Sequence, residues 1–160
     1  DIKKKLKWVS WRLIPGGFGK RSTEVKIAAI NYERKNRIPF LGICFGMQMA
    51  VIEFARNKMN NKNATSSEFG PSKASVIGLM NEWIKGGKLM KGTNKNLGGT
   101  MRLGSYEAIL AKNSLINKIY KSKKINERHR HRYEVDKKLK PKLEKDPGVA
   151  PEPIYEPNFE

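Results

Sequence analysis

The strongest constraint on the fold is an order that occurs twice: a short apolar run, a glycine turn and a stripe of apolar side chains at helical spacing. In the first copy, residues 8–14 are rich in strand formers and residues 15–19 form the glycine turn. Ser22 or Thr23 is the predicted cap of the following helix, which we expect to end at Asn36. The predicted apolar face of that helix consists of Val25, Ala28, Ala29 and Tyr32.

The second copy contains the more apolar strand. Residues 38–43 form a continuous apolar run, which fits a strand buried on both faces, as in a parallel sheet. The helical stripe that follows consists of Met47, Ala50, Val51, Phe54 and Ala55. Two successive strand, turn and helix units predict an α/β fold with an open, mostly parallel sheet flanked by helices.

The later part of the chain is less regular. We expect loops over residues 57–75 and 85–99, and strands over residues 76–83 and 125–135. Residues 113–120 are predicted to form a short helix. Its predicted inward side chains are Leu115, Ile116 and Ile119.

The end of the chain differs in composition from the rest. Residues 146–160 contain four prolines, which rule out a helix, so we expect an extended or disordered tail. The preceding residues, 1–145, are long enough for one domain with its own core.

Composition narrows the classes of function. The chain carries 33 Lys+Arg against 15 Asp+Glu, a formal net charge of +18. This charge suits a polyanion such as nucleic acid, but few aromatic residues lie among the lysines, so a basic surface from biased composition is the preferred interpretation. The sequence has neither a membrane-length apolar run nor a signal-peptide stretch, and we expect a cytoplasmic protein without a membrane partner.

Cys44 is the strongest candidate for a chemically reactive residue. It stands between two glycines, in Gly-Ile-Cys-Phe-Gly at residues 42–46, where the apolar strand meets the apolar helix. This is the cysteine form of a nucleophile elbow: a sharp turn exposes the side chain, and flanking glycines avoid clashes with backbone. The helix N-terminus favours a thiolate, and the N–H of Phe45 can face an oxyanion. A buried core cysteine is the less favoured alternative.

The first glycine turn, Gly16-Gly17-Phe18-Gly19, is expected near the elbow. In an open α/β sheet, ligands bind beyond the carboxyl ends of the strands, so both turns border one crevice. A second oxyanion N–H could come from this turn. A turn needed only for chain reversal is the alternative, because the motif matches no nucleotide-binding fingerprint.

The segment 127–134 contains a regular pattern of charged residues. Residues 127–134 alternate strictly, so a strand places Arg128, Arg130 and Arg132 on one face and His129 and His131 on the other. Three arginines on one face require nearby anions, whether substrate carboxylates, acidic side chains or phosphates. A solvated or hydrogen-bonded histidine pair is favoured over a metal site.

Glu68 lies in a polar segment, and its local sequence alone predicts a solvated surface residue.

Five segments together resemble a known family. They are Pro-Gly-Gly-Phe-Gly at 15–19, Pro-Phe-Leu-Gly-Ile-Cys-Phe-Gly-Met-Gln at 39–48, Ser-Glu-Phe at 67–69, Gly-Gly-Thr-Met-Arg-Leu-Gly at 98–104, and the alternating strand at 127–135. In this order they resemble the class I glutamine amidotransferase domain of CTP synthases. The elbow indicates only the wider class, whereas the last two segments are more particular.

The resemblance implies roles for individual residues. Cys44 matches the cysteine that attacks the glutamine side-chain amide and forms a glutamyl thioester. Glu68 matches a glutamate that binds the amino-acid end of the substrate. The positions matching the glutamine pocket and its oxyanion site are Gly17, Phe45, Gly46, Met47, Gln48, Glu68 and Arg132.

The resemblance also implies a flavodoxin-like fold and a partner domain. In the family, ammonia passes to a synthase domain, where UTP, ATP and magnesium are used to make CTP. This chain is expected to hold no cofactor and no metal itself, and to form a homo-oligomer through the synthase domain.

Some family features have no match here. The His-Pro-Glu segment that completes the catalytic triad is absent, and His129 and His131 match a different motif. Phe45 stands where Leu is usual, and Ser22 and Val25 where Gly is usual. We therefore expect residues 1–145 to be a partial amidotransferase domain that supplies ammonia from glutamine. A catalytically inactive remnant and, with less support, a nucleic-acid-binding module are the alternatives.

Overall fold

The computed structural model describes residues 2–79, 82–85, 88–91 and 101–143. It divides into two compact units. Unit 1 comprises Asp1–Leu79 with Tyr133–Val135, and unit 2 comprises Met80–Arg132 with Asp136–Glu160. The predicted tail and residues 86–87 and 92–99 of the predicted second loop lie outside the described residues.

Five helices and nine strands follow one another along the described chain. The helices are α1 (Ile2–Leu6), α2 (Thr23–Asn36), α3 (Phe45–Asn57), α4 (Leu115–Tyr120) and α5 (Lys140–Leu143). The strands are β1 (Arg12–Ile14), β2 (Phe40–Gly42), β3 (Thr65–Ser66), β4 (Ser75–Leu79), β5 (Glu82–Lys85), β6 (Lys88–Lys91), β7 (Arg102–Ile109), β8 (Lys124–His131) and β9 (Tyr133–Val135). Short 3-10 turns cover Ser67–Phe69 and Lys137–Leu139.

Unit 1 contains the predicted pair of strand, turn and helix units. β1 and β2 pair in parallel, and each is followed by a glycine turn and a helix, α2 and α3 respectively. β4 pairs in parallel with β3 and antiparallel with β9. α2 ends at Asn36 as predicted, and Ser22 is its N-cap, although the Ser22 side chain makes no capping hydrogen bond.

The buried face of α2 differs from the prediction. Val25 is 61% exposed and Ala28 is exposed, whereas Thr23, Ile27, Ile30 and Glu33 are buried. Both sets have helical spacing, and the face with two isoleucines removes more apolar surface from water than a face with two alanines. In α3 the predicted stripe is buried at Val51, Phe54 and Ala55 but not at Met47.

Two buried carboxylates lie in the helical layer of unit 1. Glu53 is 1% exposed and accepts hydrogen bonds from Asn31 Nδ2 at 2.7 Å and from the guanidinium of Arg34 at 2.8 and 2.9 Å. Glu33 lies 2.8 Å from Arg12 Nε, but the contact lacks hydrogen-bond geometry. Burial raises the pKa of Glu33, and the nearby charge of Arg12 opposes this. Glu53 is therefore the better-satisfied group.

The predicted burial of the second strand on both faces is wrong for the described residues. Leu41 in β2 is 59% exposed, and its partner in register, Leu13 in β1, is 44% exposed. Ile14, which points to the other face, is 4% exposed. Side chains alternate along a strand, so one face of this two-stranded sheet packs on unit 1 and the other is open among the described residues.

Unit 2 is organised by an antiparallel hairpin. β7 and β8 pair along their full length, from Arg102 opposite His131 to Ile109 opposite Lys124. A small core combines Ala108, Leu110 and Ile125 with Ile116 of α4. The predicted inward positions Leu115 and Ile119 are 61% and 63% exposed, because a six-residue helix presents only one narrow face to this core.

Several predicted element boundaries also change. The described residues of the strand expected over 76–83 belong to β4 and β5, and residues 80–81 lie outside the described residues. β6 lies where a loop was expected. The strand expected over 125–135 is interrupted at Arg132, since β9 leaves the hairpin and pairs with β4 in unit 1. No helix in the part of the chain that the structure describes has the length and apolar character of a membrane span.

Candidate active site

Cys44 lies at a sharp turn between β2 and α3. It is the N-cap of α3, with φ 51° and ψ −106°, and it is an exposed free thiol. A non-glycine residue with positive φ is strained, and such strain is retained where the surrounding structure enforces it. Here Ile43 N donates to Ile14 O at 3.0 Å and Gly46 N donates to Ile43 O at 2.8 Å. These bonds hold the thiol at the end of the sheet.

The two glycines that flank Cys44 are required by space. A Cβ on Gly42 would lie 2.8 Å from Met47 N, and a Cβ on Gly46 would overlap the carbonyl group of Ile14. Both neighbours are backbone atoms, which cannot rotate away as a flexible side chain could. The elbow therefore has the geometry expected from its glycine spacing.

The first glycine turn lies against the elbow, as the sequence predicted. The Cβ position of Gly16 is 3.6 Å from Cys44 Cβ, and that of Gly17 is 3.8 Å from Phe45 Cδ1. The Phe45 side chain is 2% exposed, so this contact is part of the core of unit 1. Two segments about 28 residues apart in sequence thus border one site.

Glu68 is brought to the same turn. Its Oε1 accepts a hydrogen bond of 2.5 Å from Gly19 N, and its own N–H donates to Ser66 Oγ at 3.2 Å. Next to it, the ring of Phe69 meets the ring of Phe45 edge-on at 6.1 Å. Glu68 is partly buried, so the interpretation as a solvated surface residue is wrong. The hydrogen bond to Gly19 joins residues 49 positions apart and has no local sequence signal.

Met47 and Gln48 occupy the first turn of α3 and differ in exposure. Met47 is 38% exposed, whereas Gln48 is 4% exposed. The Gln48 amide Nε2 donates to Tyr133 O at 2.8 Å, which ties α3 to β9 within unit 1. The side chain of Gln48 therefore has a structural partner, and any contact with substrate stays a prediction.

Lys26 is a charged neighbour that sequence reasoning missed. Its Nζ lies 4.7 Å from the centre of the Phe45 ring and 3.6 Å from the Cβ position of Gly17. The composition suggested scattered surface lysines, and nothing in the residues around Lys26 distinguishes it from them. Its place in the first turn of α2, directly after the glycine turn, was the available signal.

Arg132, the remaining predicted pocket residue, belongs to unit 2. It lies between β8 and β9 with an intermediate exposure, and its predicted role in glutamine binding stays a prediction. Arg128 and Arg130 are exposed on one face of β8, as predicted. Arg132 follows the end of β8, so the predicted three-arginine face is right for two residues only.

The two histidines of the chain contact one another in unit 2. His129 Nδ1 and His131 Nε2 are 2.9 Å apart, and the His129 ring meets Tyr106 edge-on at 5.3 Å. Burial lowers the pKa of His129, as do the neighbouring His131 and Arg102, while Glu127 opposes them. Within the described ranges, no three His, Cys, Asp or Glu side chains are arranged to hold a metal ion.

Comparison with known proteins identifies the family. The glutamine amidotransferase class-I model matches residues 1–146. CTP synthase from Pelagibacter ubique is 68% identical over 145 residues, which cover 91% of this chain and 27% of that protein. CTP synthase from Rhizobium etli strain CIAT 652 is 52% identical over 156 residues, covering 91% of this chain and 29% of that protein.

A solved structure supports the same assignment. The glutaminase domain of Trypanosoma brucei CTPS with bound acivicin superposes with a TM-score of 0.77 at 36% identity, covering 89% of this chain and 52% of that chain. The predicted α/β fold of a class I amidotransferase is thereby confirmed. The chain spans under a third of the length of the two curated relatives and about half of the solved one. The chain belongs to the class-I glutamine amidotransferase family.

Proposed function

We propose that this chain is the glutamine-hydrolysing part of a CTP synthase and that Cys44 is its nucleophile. The observation that carries the proposal is the strained, exposed Cys44 at the N-terminus of α3, between two glycines that cannot be enlarged. A structural cysteine has no need of this conformation. The similarity to CTP synthases supports glutamine as the substrate.

The proposed reaction has two halves. The Cys44 sulfur attacks the side-chain amide carbon of glutamine, the carbon–nitrogen bond breaks, and ammonia leaves with the proton of the thiol. Water then attacks the glutamyl thioester, which releases glutamate and restores the thiol. The negative oxygen formed in each half is proposed to accept hydrogen bonds from the N–H of Phe45 and from the turn at Gly17.

The substrate's amino-acid end is assigned to other residues. Glu68 would bind the ammonium group of the substrate, and Gly46, Met47 and Gln48 would line the cleft. A role of Arg132 in binding glutamine is proposed from the resemblance alone. The position of Glu68 beside Gly19 supports this, because the carboxylate lies at the turn that borders Cys44.

The ammonia would be used by a synthase domain in the complete protein. That domain would convert UTP to CTP with ATP and magnesium and would form the contacts of a homo-oligomer. No cofactor is proposed for the present chain, and the cytoplasm is the proposed location.

The test measures glutamate and ammonia released from glutamine by this chain and by its Cys44→Ala variant. Turnover by the wild type that is lost in Cys44→Ala supports the proposal. Equal rates in both proteins contradict Cys44 as nucleophile. Cys44→Ser is a matched control, because serine keeps the approximate size of the side chain but is a weaker nucleophile than cysteine.

An inactive form of the domain is the second candidate, in which Cys44 is retained but glutamine is not turned over. Loss of a triad member typically costs about 10⁴-fold in rate. Acivicin, which is bound in the trypanosomal structure, separates the two cases. Cys44-dependent modification by acivicin without glutamine turnover favours the inactive form, and turnover excludes it.

A further inference from the structure

An ammonium group lies beside both residues proposed to donate to the oxyanion. Lys26 Nζ is 4.7 Å from the centre of the Phe45 ring and 3.6 Å from the Cβ position of Gly17. Phe45 directly follows Cys44, and Gly17 directly follows Gly16, which contacts the Cys44 side chain. The charge therefore lies next to the two segments that border Cys44, the first glycine turn and the start of α3.

The position of this charge is unfavourable for stability. Lys26 belongs to the first turn of α2, where its N–H bonds to Ser22 O at 3.1 Å, and its ammonium reaches over the first residue of α3. Both helix N-termini are positive ends of helix dipoles, which repel a cation. α3 has no acidic residue in its first turn, and the one in α2, Glu24, pairs with Arg56. Lys26 itself forms no ion pair with the residues that the structure describes.

The ring of Phe45 is the favourable partner of the ammonium, through a cation–π contact. This contact holds Nζ in place without neutralising its charge, as a carboxylate would. Natural proteins accept an unfavourable placement such as a cation at a helix N-terminus mainly at functional sites. The ammonium and the two helix N-termini attract an anion, and the carboxylate of Glu68 at Gly19 is the negative group at the same turn.

We propose that Lys26 is an electrostatic residue of the glutamine site, whose charge stabilises the negative oxygen formed when Cys44 attacks the amide. The inference rests on the proposed glutaminase function. The ammonium acts through its field, which is strong because the buried Phe45 ring excludes water on one side. Lys26 thus adds to hydrogen bonds from Phe45 and the Gly17 turn.

The first test measures the field without requiring glutamine hydrolysis. Cys44 is the only cysteine, so its alkylation rate reports on one location. The anionic reagent iodoacetate and the neutral reagent iodoacetamide are similar in size, and the ratio of their rates measures the local potential. In low salt, Lys26→Met is expected to lower the iodoacetate-to-iodoacetamide ratio about 5-fold. Lys26→Arg is expected to keep it.

A matched variant controls for net charge. Lys35 lies on the same helix, nine residues and roughly 13 Å beyond Lys26, and is exposed. Lys35→Met removes the same charge and is expected to leave the iodoacetate-to-iodoacetamide ratio within about 1.5-fold of the wild-type value, because an exposed and distant charge is screened by solvent and salt. Raising the salt to about 1 M should shrink the Lys26→Met effect, because screening then acts over about 3 Å. An unchanged ratio in Lys26→Met overturns the inference.

The second test connects the field to catalysis. In glutamine hydrolysis by this chain, Lys26→Met is expected to lower kcat about 10-fold with KM within about 2-fold, and Lys26→Arg to retain most of kcat. Equal losses in both variants contradict a charge effect and indicate packing on Phe45 instead. The thermal midpoint of Lys26→Met is expected to stay equal or rise, because a repelled cation has been removed.

The two tests separate the possible failures. If the wild type does not hydrolyse glutamine, the proposed glutaminase function is contradicted. The alkylation ratio still decides whether Lys26 raises the positive potential at Cys44. If hydrolysis occurs but neither the ratio nor kcat responds to Lys26→Met, the function stands and the role of Lys26 is refuted.

Discussion

Gly46 in the Cys44 elbow of unit 1 and Gly104 in the β7–β8 hairpin of unit 2 are needed for different reasons. Gly46 has no space for a side chain, since a Cβ would overlap the Ile14 carbonyl group. Gly104 has open space around it, but its φ is +107°. The elbow is constrained by close packing of backbone, and the hairpin by the conformation of one residue.

One ion pair from each unit shows a further difference. In unit 1, Glu53 is 1% exposed and is bonded by Arg34 from the neighbouring helix. In the hairpin, Lys124 and Glu107 pair at 2.9 Å with side chains that are 55% and 45% exposed. Water can replace the second pair but not the first, so we expect unit 1 to tolerate substitution far less than the hairpin.

The largest effect is expected for Gly46→Ala. The added methyl group forces α3 away from β1, which should lower the free energy of unfolding by about 3 kcal/mol or more. Urea titration followed by tryptophan fluorescence would measure it. Gly78→Ala in β4 is the control, because nothing lies within 4 Å of its Cβ position. Similar losses in both variants would refute the packing argument.

Arg34→Met tests the buried pair. It leaves the Glu53 carboxylate buried without its guanidinium partner, and we expect a loss of about 3 kcal/mol. Lys124→Met removes the exposed pair and should cost less than about 1 kcal/mol. Both values come from urea unfolding. The comparison between the regions breaks down if the hairpin variant loses as much stability as the helix variant.

The same contrast explains which features sequence could predict. The elbow at Cys44 and the end of α2 at Asn36 depend on residues close in the chain, and both were predicted. The buried face of α2 was not, since the stripe with Val25 and the stripe with Ile27 both have helical spacing. Contacts with α3 select between them.

Long-range contacts also decide the features that were missed. The alternation through 127–134 is real in β8, but the break at Arg132 arises because β9 pairs with β4, far away in sequence. Likewise Lys26 meets Phe45, and Glu68 meets Gly19, through folding of unit 1. Local pattern therefore predicted the sharp turn at Cys44 but not the charged side chains near it.

Gly104→Ala should have a smaller effect than Gly46→Ala. A side chain at φ +107° is strained even in open space, and we expect a loss of about 1–2 kcal/mol. Ser105→Ala, at the next position of β7, should change stability by less than about 0.5 kcal/mol. Hydrogen exchange across β7 and β8 would locate the loss. Equal protection in the two variants would show that the glycine conformation is not needed.

The smallest effect is expected from His129, and it depends on pH. Because its pKa in the folded protein is lowered from the usual 6.5, mainly by burial and then by His131 and Arg102, folding favours the neutral ring. Its stabilising contribution is therefore complete above about pH 6.5 and is lost as the pH falls through the lowered pKa. Urea unfolding from about pH 8 to about pH 5 should show a decline that His129→Gln reduces, whereas Lys124→Met should retain it. A decline of equal size in His129→Gln would assign the pH dependence to other groups and leave the hairpin without a titrating contribution from His129.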